Sequence, residues 1–149
     1  MLVKKRKIMQ KDELKNKIID VIKEYPVGSV ATIKDAKPWV RYMAMQTEDN
    51  LILYTTAFAS SRKIGQISKD SNVHVTFGAD SKNWELPYIN VEAKAEVMTD
   101  LEIKKKYWCD MLSRFFKGPE DPNYVVVKIV PSYIEYMSPG VHEPEVYTL

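Results

Sequence analysis

The stretch Tyr54-Thr55-Thr56-Ala57-Phe58-Ala59-Ser60-Ser61-Arg62-Lys63-Ile64-Gly65-Gln66-Ile67 decides how this chain is read. It starts as the end of an apolar strand and finishes as the first turns of a helix, with Ile64 and Ile67 on one face. At the junction stand two threonines, two serines, an arginine and a lysine. A helix start presents unpaired backbone N–H groups and the positive end of the helix dipole, so cations there oppose the helix's own field. Two readings are open. The segment is either a capped helix with solvated cations, or a site where Ser61, Arg62 and Lys63 hold a phosphate or another anion.

Working outward, the residues upstream alternate as strands: Gly28 to Ile33, Trp39 to Met45 and Leu51 to Thr56. The joining segments, Lys34-Asp35-Ala36-Lys37-Pro38 and Thr47-Glu48-Asp49-Asn50, are turn chemistry of hairpin length, which predicts an antiparallel meander. Before them, Leu14, Ile18, Val21, Ile22 and Tyr25 recur at helical spacing until Pro26 ends the helix. Downstream, the helix from Ser61 stops near Asp70. Strands are predicted at Asn72 to Phe77, Pro87 to Met98 and Tyr124 to Met137, with a polar loop from Gly78 to Glu85. Thr99 and Glu102 have capping-box spacing. They predict a third helix with Leu101, Trp108, Met111, Leu112 and Phe115 on one side, running to the breaker Gly118-Pro119-Glu120-Asp121-Pro122. The fold class is therefore mainly β with flanking helices, a six-stranded antiparallel split or closed barrel in one domain spanning 1–149. Residues 1–9 are a basic arm, and 138–149 a surface tail.

Strand alternation sets Val40, Tyr42 and Ala44 on one face and Arg41, Met43 and Met45 on the other. With Val40, Tyr42 and Ala44 inward, Arg41 points outward. There it either joins Arg62 and Lys63 on one anion or stands solvated.

The 149 residues carry a net charge of +2, too little to argue for a nucleic-acid surface even with the Lys4-Lys5-Arg6-Lys7 run. Cys109 is the one cysteine, so no intrachain disulfide can form, and no histidine stands near it in sequence to make it a nucleophile. There is no long apolar run and no signal-peptide core, so a soluble, cytoplasmic protein without membrane association is expected. His74 in an apolar strand and His142 in the tail have no ligand spacing, so no metal is expected. No Walker loop, dinucleotide fingerprint or Ser/His/Asp order is present.

Three segments together resemble the FMN-binding split-barrel family, the pyridoxamine 5′-phosphate oxidase-like proteins and their general stress protein relatives. They are Pro38-Trp39-Val40-Arg41-Tyr42-Met43, Tyr54-Thr55 and Ser61-Arg62-Lys63-x-x-Gln66-Ile67. Asp121-Pro122-x-Tyr124 and Ile134-Glu135-Tyr136 follow in matching order, so the likeness runs from about Ile18 to Tyr136. The resemblance implies that Arg41, Ser61, Arg62 and Lys63 meet the FMN phosphate. It implies that the backbone at Tyr42 and Met43 borders the flavin ring, and that Tyr54, Thr55 and Thr56 hold its edge. It further implies a homodimer with two equivalent sites at the interface, to which Tyr88 and Trp108 contribute. Tyr42 departs from the proline of many relatives. After Tyr136 the Arg-and-His substrate motif of authentic pyridoxamine phosphate oxidases is missing, which argues against vitamin B6 oxidation. The expectation is an FMN-dependent oxidoreductase fed by a small electron donor such as NAD(P)H. The alternative is a non-catalytic binder of flavin, F420 or haem; a nucleic-acid module built on the basic arm ranks below both.

Overall fold

The computed structural model describes residues 8–80 and 82–149; the basic run Lys4 to Lys7 lies outside them. Helix α1 (Lys11–Glu24) buries Leu14, Ile18, Ile19, Val21 and Ile22 on one face and ends just before Pro26. There follow β1 (Val27–Lys34), β2 (Lys37–Ala44), β3 (Gln46–Thr47), β4 (Leu53–Phe58) and helix α2 (Arg62–Lys69). The chain continues through β5 (Asn72–Asp80), β6 (Asn83–Met98), α3 (Leu101–Lys106), a 3-10 turn (Asp110–Arg114), β7 (Tyr124–Met137) and β8 (Glu145–Thr148).

Among the described residues the strands form one eight-stranded antiparallel sheet, in the order β2-β1-β5-β6-β7-β4-β3, with β8 beside β7. All six predicted strands are present, and the sheet adds two short ones, β3 and β8. The ladder is not closed. Its two ends, β2 and β3, are nevertheless consecutive in the chain, separated by the buried Met45. The tail after Ser138 includes β8, whose Glu145 to Thr148 pair with Tyr136 to Tyr133. Four residues with no apolar run carried no strand signal.

Alternate residues fill the core: Val30 and Thr32 from β1, Val73, Val75 and Phe77 from β5, Ile89 and Val91 from β6, and Leu53 and Ala57 from β4. Ile18 of α1 packs into this layer. Gly28 allows a close approach, since a Cβ there would lie 2.8 Å from the Thr76 carbonyl oxygen and 2.9 Å from Phe77. The β1–β2 hairpin turns on Asp35 and Ala36 at φ +51° and +58°, the positive values that a primed two-residue turn needs. In the β6–β7 ladder Glu92 faces Tyr133 while Ala93 faces Pro131. Ser132 is thus the extra residue of a bulge, where a proline's missing N–H is tolerated.

Three sequence expectations are corrected. In β2 the faces are reversed: Met43 and Met45 are buried, whereas Val40 is 64% and Tyr42 80% exposed. The alternation was right, but an apolar β-branched or aromatic residue need not mark the core side. The third helix does not continue to Gly118. It stops at Lys106, and the chain re-forms as the 3-10 turn. Its N-cap, Asp100, makes no side-chain capping bond, and Leu101, Met111 and Phe115 face solvent. Leu112 is buried as expected, but Tyr107 and Phe116 join it in place of the others, packing with Tyr124 and Val126 as a second apolar cluster. The polar loop is also shorter than read, because β5 runs to Asp80 and β6 begins at Asn83.

Candidate functional site

The reversal of β2 turns Arg41 inward, toward β1 and α2. Its Nη1 donates to Thr32 Oγ1 at 2.7 Å and to the Val30 carbonyl at 3.3 Å; its Nη2 donates to Gln66 Oε1 at 2.9 Å. Thr32 Oγ1 in turn donates to Gln66 Oε1 at 2.6 Å. Thr32 is 0% and Gln66 9% exposed, so the polar ends of both are enclosed with Arg41 as partner.

Helix α2 begins beside this group. Ser61 occupies the N-cap with extended backbone and makes no capping bond. Its Oγ accepts from Lys63 Nζ at a long 3.5 Å. The first turn holds no acidic residue. Burial, then Arg41 and Arg62, hold the Lys63 ammonium below its usual pKa; burial, then Arg62, do the same to Arg41. Among the described residues no carboxylate forms an ion pair with Arg41, Arg62 or Lys63. Arg62, Gly65 and Gln66 line a cleft of about 560 Å³ whose far side carries Lys34, Asp35, Lys69 and Asp70; Arg41, Ser61 and Lys63 are not among its lining residues. A Cβ on Gly65 would meet nothing within 4 Å, so the helix leaves this wall open.

A smaller cleft of about 220 Å³ is lined by Tyr54, Thr55 and Thr56 together with Met45, Tyr107, Cys109 and Met111. Thr55 Oγ1 donates to the Ala44 carbonyl at 2.7 Å, tying β4 to the end of β2. Tyr54 stacks on Tyr107 with centroids 4.4 Å apart. The Tyr107 hydroxyl donates to Glu48 Oε1 at 2.6 Å, and Lys106 pairs with the same oxygen. Hydrogen bonds from Lys106 and Tyr107 hold the Glu48 carboxyl below its usual pKa, while burial and then Glu48 push the Tyr107 phenol well above its own.

The predicted residues thus fall into groups. Arg41, Arg62 and Lys63 lie within one another's fields, with Ser61 at the same turn. Tyr54, Thr55 and Thr56 line the smaller cleft. Met43 is in the core, and Tyr42 stands on the outer face of β2. Tyr88 lines a third cleft of about 590 Å³ with Trp84, Met137 and His142. Trp108 packs edge-on to Tyr124 at 5.4 Å in the second apolar cluster. Within one chain neither Tyr88 nor Trp108 lines either of the first two clefts. Sequence reasoning missed Thr32, Glu48 and Tyr107 as site residues, and it carried Gln66 only as part of the quoted Ser61-Arg62-Lys63-x-x-Gln66-Ile67 segment, without a role. A glutamine among the buried positions of a short helix, beside Ile64 and Ile67, was the available signal for Gln66.

Among the described residues no cluster of His, Cys, Asp or Glu could hold a metal ion, and no helix is long and apolar enough to cross a membrane. Residues 13–140 match the family model described as pyridoxamine 5′-phosphate oxidase like. The chain is 35% identical to general stress protein 26 of Bacillus subtilis over 91% of its own length and 96% of that protein's. The crystal structure of general stress protein 26 from Bacillus anthracis is similar with a TM-score of 0.78 and 37% identity, covering 91% of this chain and 98% of that one. A haem-binding protein of Mycobacterium smegmatis shares the fold with a TM-score of 0.72, at 10% identity, covering 90% of this chain and 57% of that one.

Proposed function

The chain belongs to the pyridoxamine 5′-phosphate oxidase-like family and its general stress protein branch, and from that premise we propose that it binds FMN as a flavin-dependent oxidoreductase. One observation carries the cofactor: burial first, and then the neighbouring cations, hold Arg41 and Lys63 below their usual pKa beside Arg62, with no acid paired to the three among the described residues. A phosphate dianion would relieve that crowding and accept from the Ser61 hydroxyl and the open first turn of α2. The donor set therefore fits the group.

Tyr54, Thr55 and Thr56 hold the ring edge in this reading. Their cleft of about 220 Å³ takes an edge more readily than a whole tricyclic ring. A second protomer would supply the opposite wall, and Tyr88 and Trp108 would act from across that interface. Exposed Val40 and Tyr42 on the outer face of β2 give such a homodimer an apolar surface. With β2 and β3 taken as one strand bent at Met45, the seven-strand path would reduce to a six-stranded split barrel with β8 outside it. When bound, FMN supplies the hydride chemistry; the chain fixes its phosphate and ring edge and limits water access. The donor is a small molecule such as NAD(P)H. Vitamin B6 oxidation is not proposed, because the C-terminal Arg-and-His motif is missing.

The test starts with the absorbance spectrum of the purified protein and a titration with FMN. Flavin bands and stoichiometric binding support the cofactor; no binding overturns it and sends F420 and haem into the same titration. Arg62→Ala with Lys63→Ala is expected to leave a folded protein whose FMN affinity is at least about tenfold weaker. Reduction of the bound flavin by NAD(P)H separates an enzyme from a storage or sensing protein.

A further inference from the structure

We propose that Thr32 and Gln66 are positioning residues, a buried clasp that aims the Arg41 guanidinium at the anion held by Arg62 and Lys63. The proposal rests on the phosphate-binding reading of the α2 turn.

Three elements meet in the clasp: Thr32 on β1, Arg41 on β2 and Gln66 on α2. The guanidinium can only donate, so the Gln66 atom facing it is the carbonyl oxygen and not the amide nitrogen. Thr32 Oγ1 accepts from Arg41, and its own proton goes to the same Gln66 oxygen. The direction of every bond is thereby set by the arginine. A hydroxyl at a position with no exposure is costly unless paired, and β1 places apolar Val30 at the next inward position. The hydroxyl is there for Arg41.

The clasp has a specific task. Arg41 is a long side chain facing two like charges, and a free one would swing toward solvent. Gln66 lies one helical turn after Arg62, so holding Arg41 on Gln66 fixes it one turn from the second cation. Three of the five guanidinium donors are used in the clasp, which leaves others for the anion. Thr32 acts only through Arg41 and Gln66, because its one proton is spent on the Gln66 oxygen.

The test compares FMN with riboflavin, which has the same ring without the phosphate. Both are titrated against the wild type, Thr32→Val, Thr32→Ser and Gln66→Met, with each variant's fold checked by circular dichroism and thermal melting. Thr32→Val and Gln66→Met are expected to cut the preference for FMN over riboflavin about tenfold while riboflavin affinity stays put. Thr32→Ser, which keeps the hydroxyl, should retain the preference. Should Thr32→Val not fold, Gln66→Met against Thr32→Ser makes the same comparison. The clasp is overturned if the Thr32→Val and Gln66→Met proteins keep the wild-type preference, or if affinity for both ligands drops equally. A wild type that binds FMN no better than riboflavin overturns the phosphate reading beneath it.

Discussion

Two charged groups, one beside α3 and one at the start of α2, are built to opposite rules. On the side of α3, Glu48 accepts from Lys106 and from the Tyr107 hydroxyl, so cation and anion are both supplied by the chain. On the side of α2, Arg41, Arg62 and Lys63 face one another, and hydrogen bonding to neutral Thr32 and Gln66 holds Arg41 in place without neutralising it. The first group is complete as folded. The second carries a repulsion that the fold tolerates, and such tolerated conflict is characteristic of sites that await a ligand. Their separation also divides labour: one group fastens the α3 segment over Tyr54, and the other leaves a cleft open.

Giving the open group an internal anion should collapse the contrast. Lys63→Glu is expected to abolish tight FMN binding, by about a hundredfold or more, while raising the Tm of the ligand-free protein because the crowding is relieved. A lower Tm would mean the cations are not in conflict.

Proton uptake gives the next largest effect. Lys63 has a folded pKa below its ordinary 10.5, so the folded chain binds fewer protons than the unfolded one between the two values. Stability of the ligand-free protein should therefore rise with pH through that window. FMN favours the ammonium, so its affinity relative to riboflavin should fall over the same window, by roughly tenfold for each pKa unit that binding restores. Lys63→Arg should flatten the profile, and an unchanged profile would remove Lys63 from the site.

At the complete group stability also rises with pH, but in the acid range, and there the charged form is favoured by folding instead of opposed by it. Glu48 has a depressed folded pKa, so its stabilisation is present above the ordinary carboxylate range and is lost as pH falls through the folded value. Glu48→Gln should lower Tm at neutral pH by about 2 °C and weaken the acid-dependent loss, with the preference for FMN over riboflavin intact. A changed preference would mean that the two groups are coupled.

The smallest change tests the cleft rim without altering a charge. Ala36 lines the cleft beside α2 at φ +58°, a conformation suited to glycine. Ala36→Gly should add about 0.5 kcal/mol of stability in chemical denaturation and leave FMN affinity unchanged.

Strand positions were legible because alternation and turn residues report them locally. Which face of β2 meets the core was not legible. Met43 and Arg41 share a side, and neither Val40 nor Tyr42 shows in sequence that it faces outward. The cations at Ser61-Arg62-Lys63 could be read because they oppose the helix field at a fixed place. Thr32 could not, since a threonine in a strand is ordinary until its register against Trp39 and its contact with Gln66 are known. The third helix failed because Leu101, Met111 and Phe115 fit a helical period that Tyr107 and Phe116 outcompete for the space beside Tyr124.

The pairing of β4 with β7 has a consequence during synthesis. Leu53 lies opposite Ile129, more than seventy residues downstream, and Phe58 opposite Tyr124. At translation rates of about 5–20 residues per second, β4 waits roughly 4–15 s for its neighbour to be made. Through that interval its apolar edge, and the ligand turn that follows it, emerge from the ribosome with no sheet to join on the β7 side. Chaperone capture of nascent chains ending before residue 124 would register this delay directly.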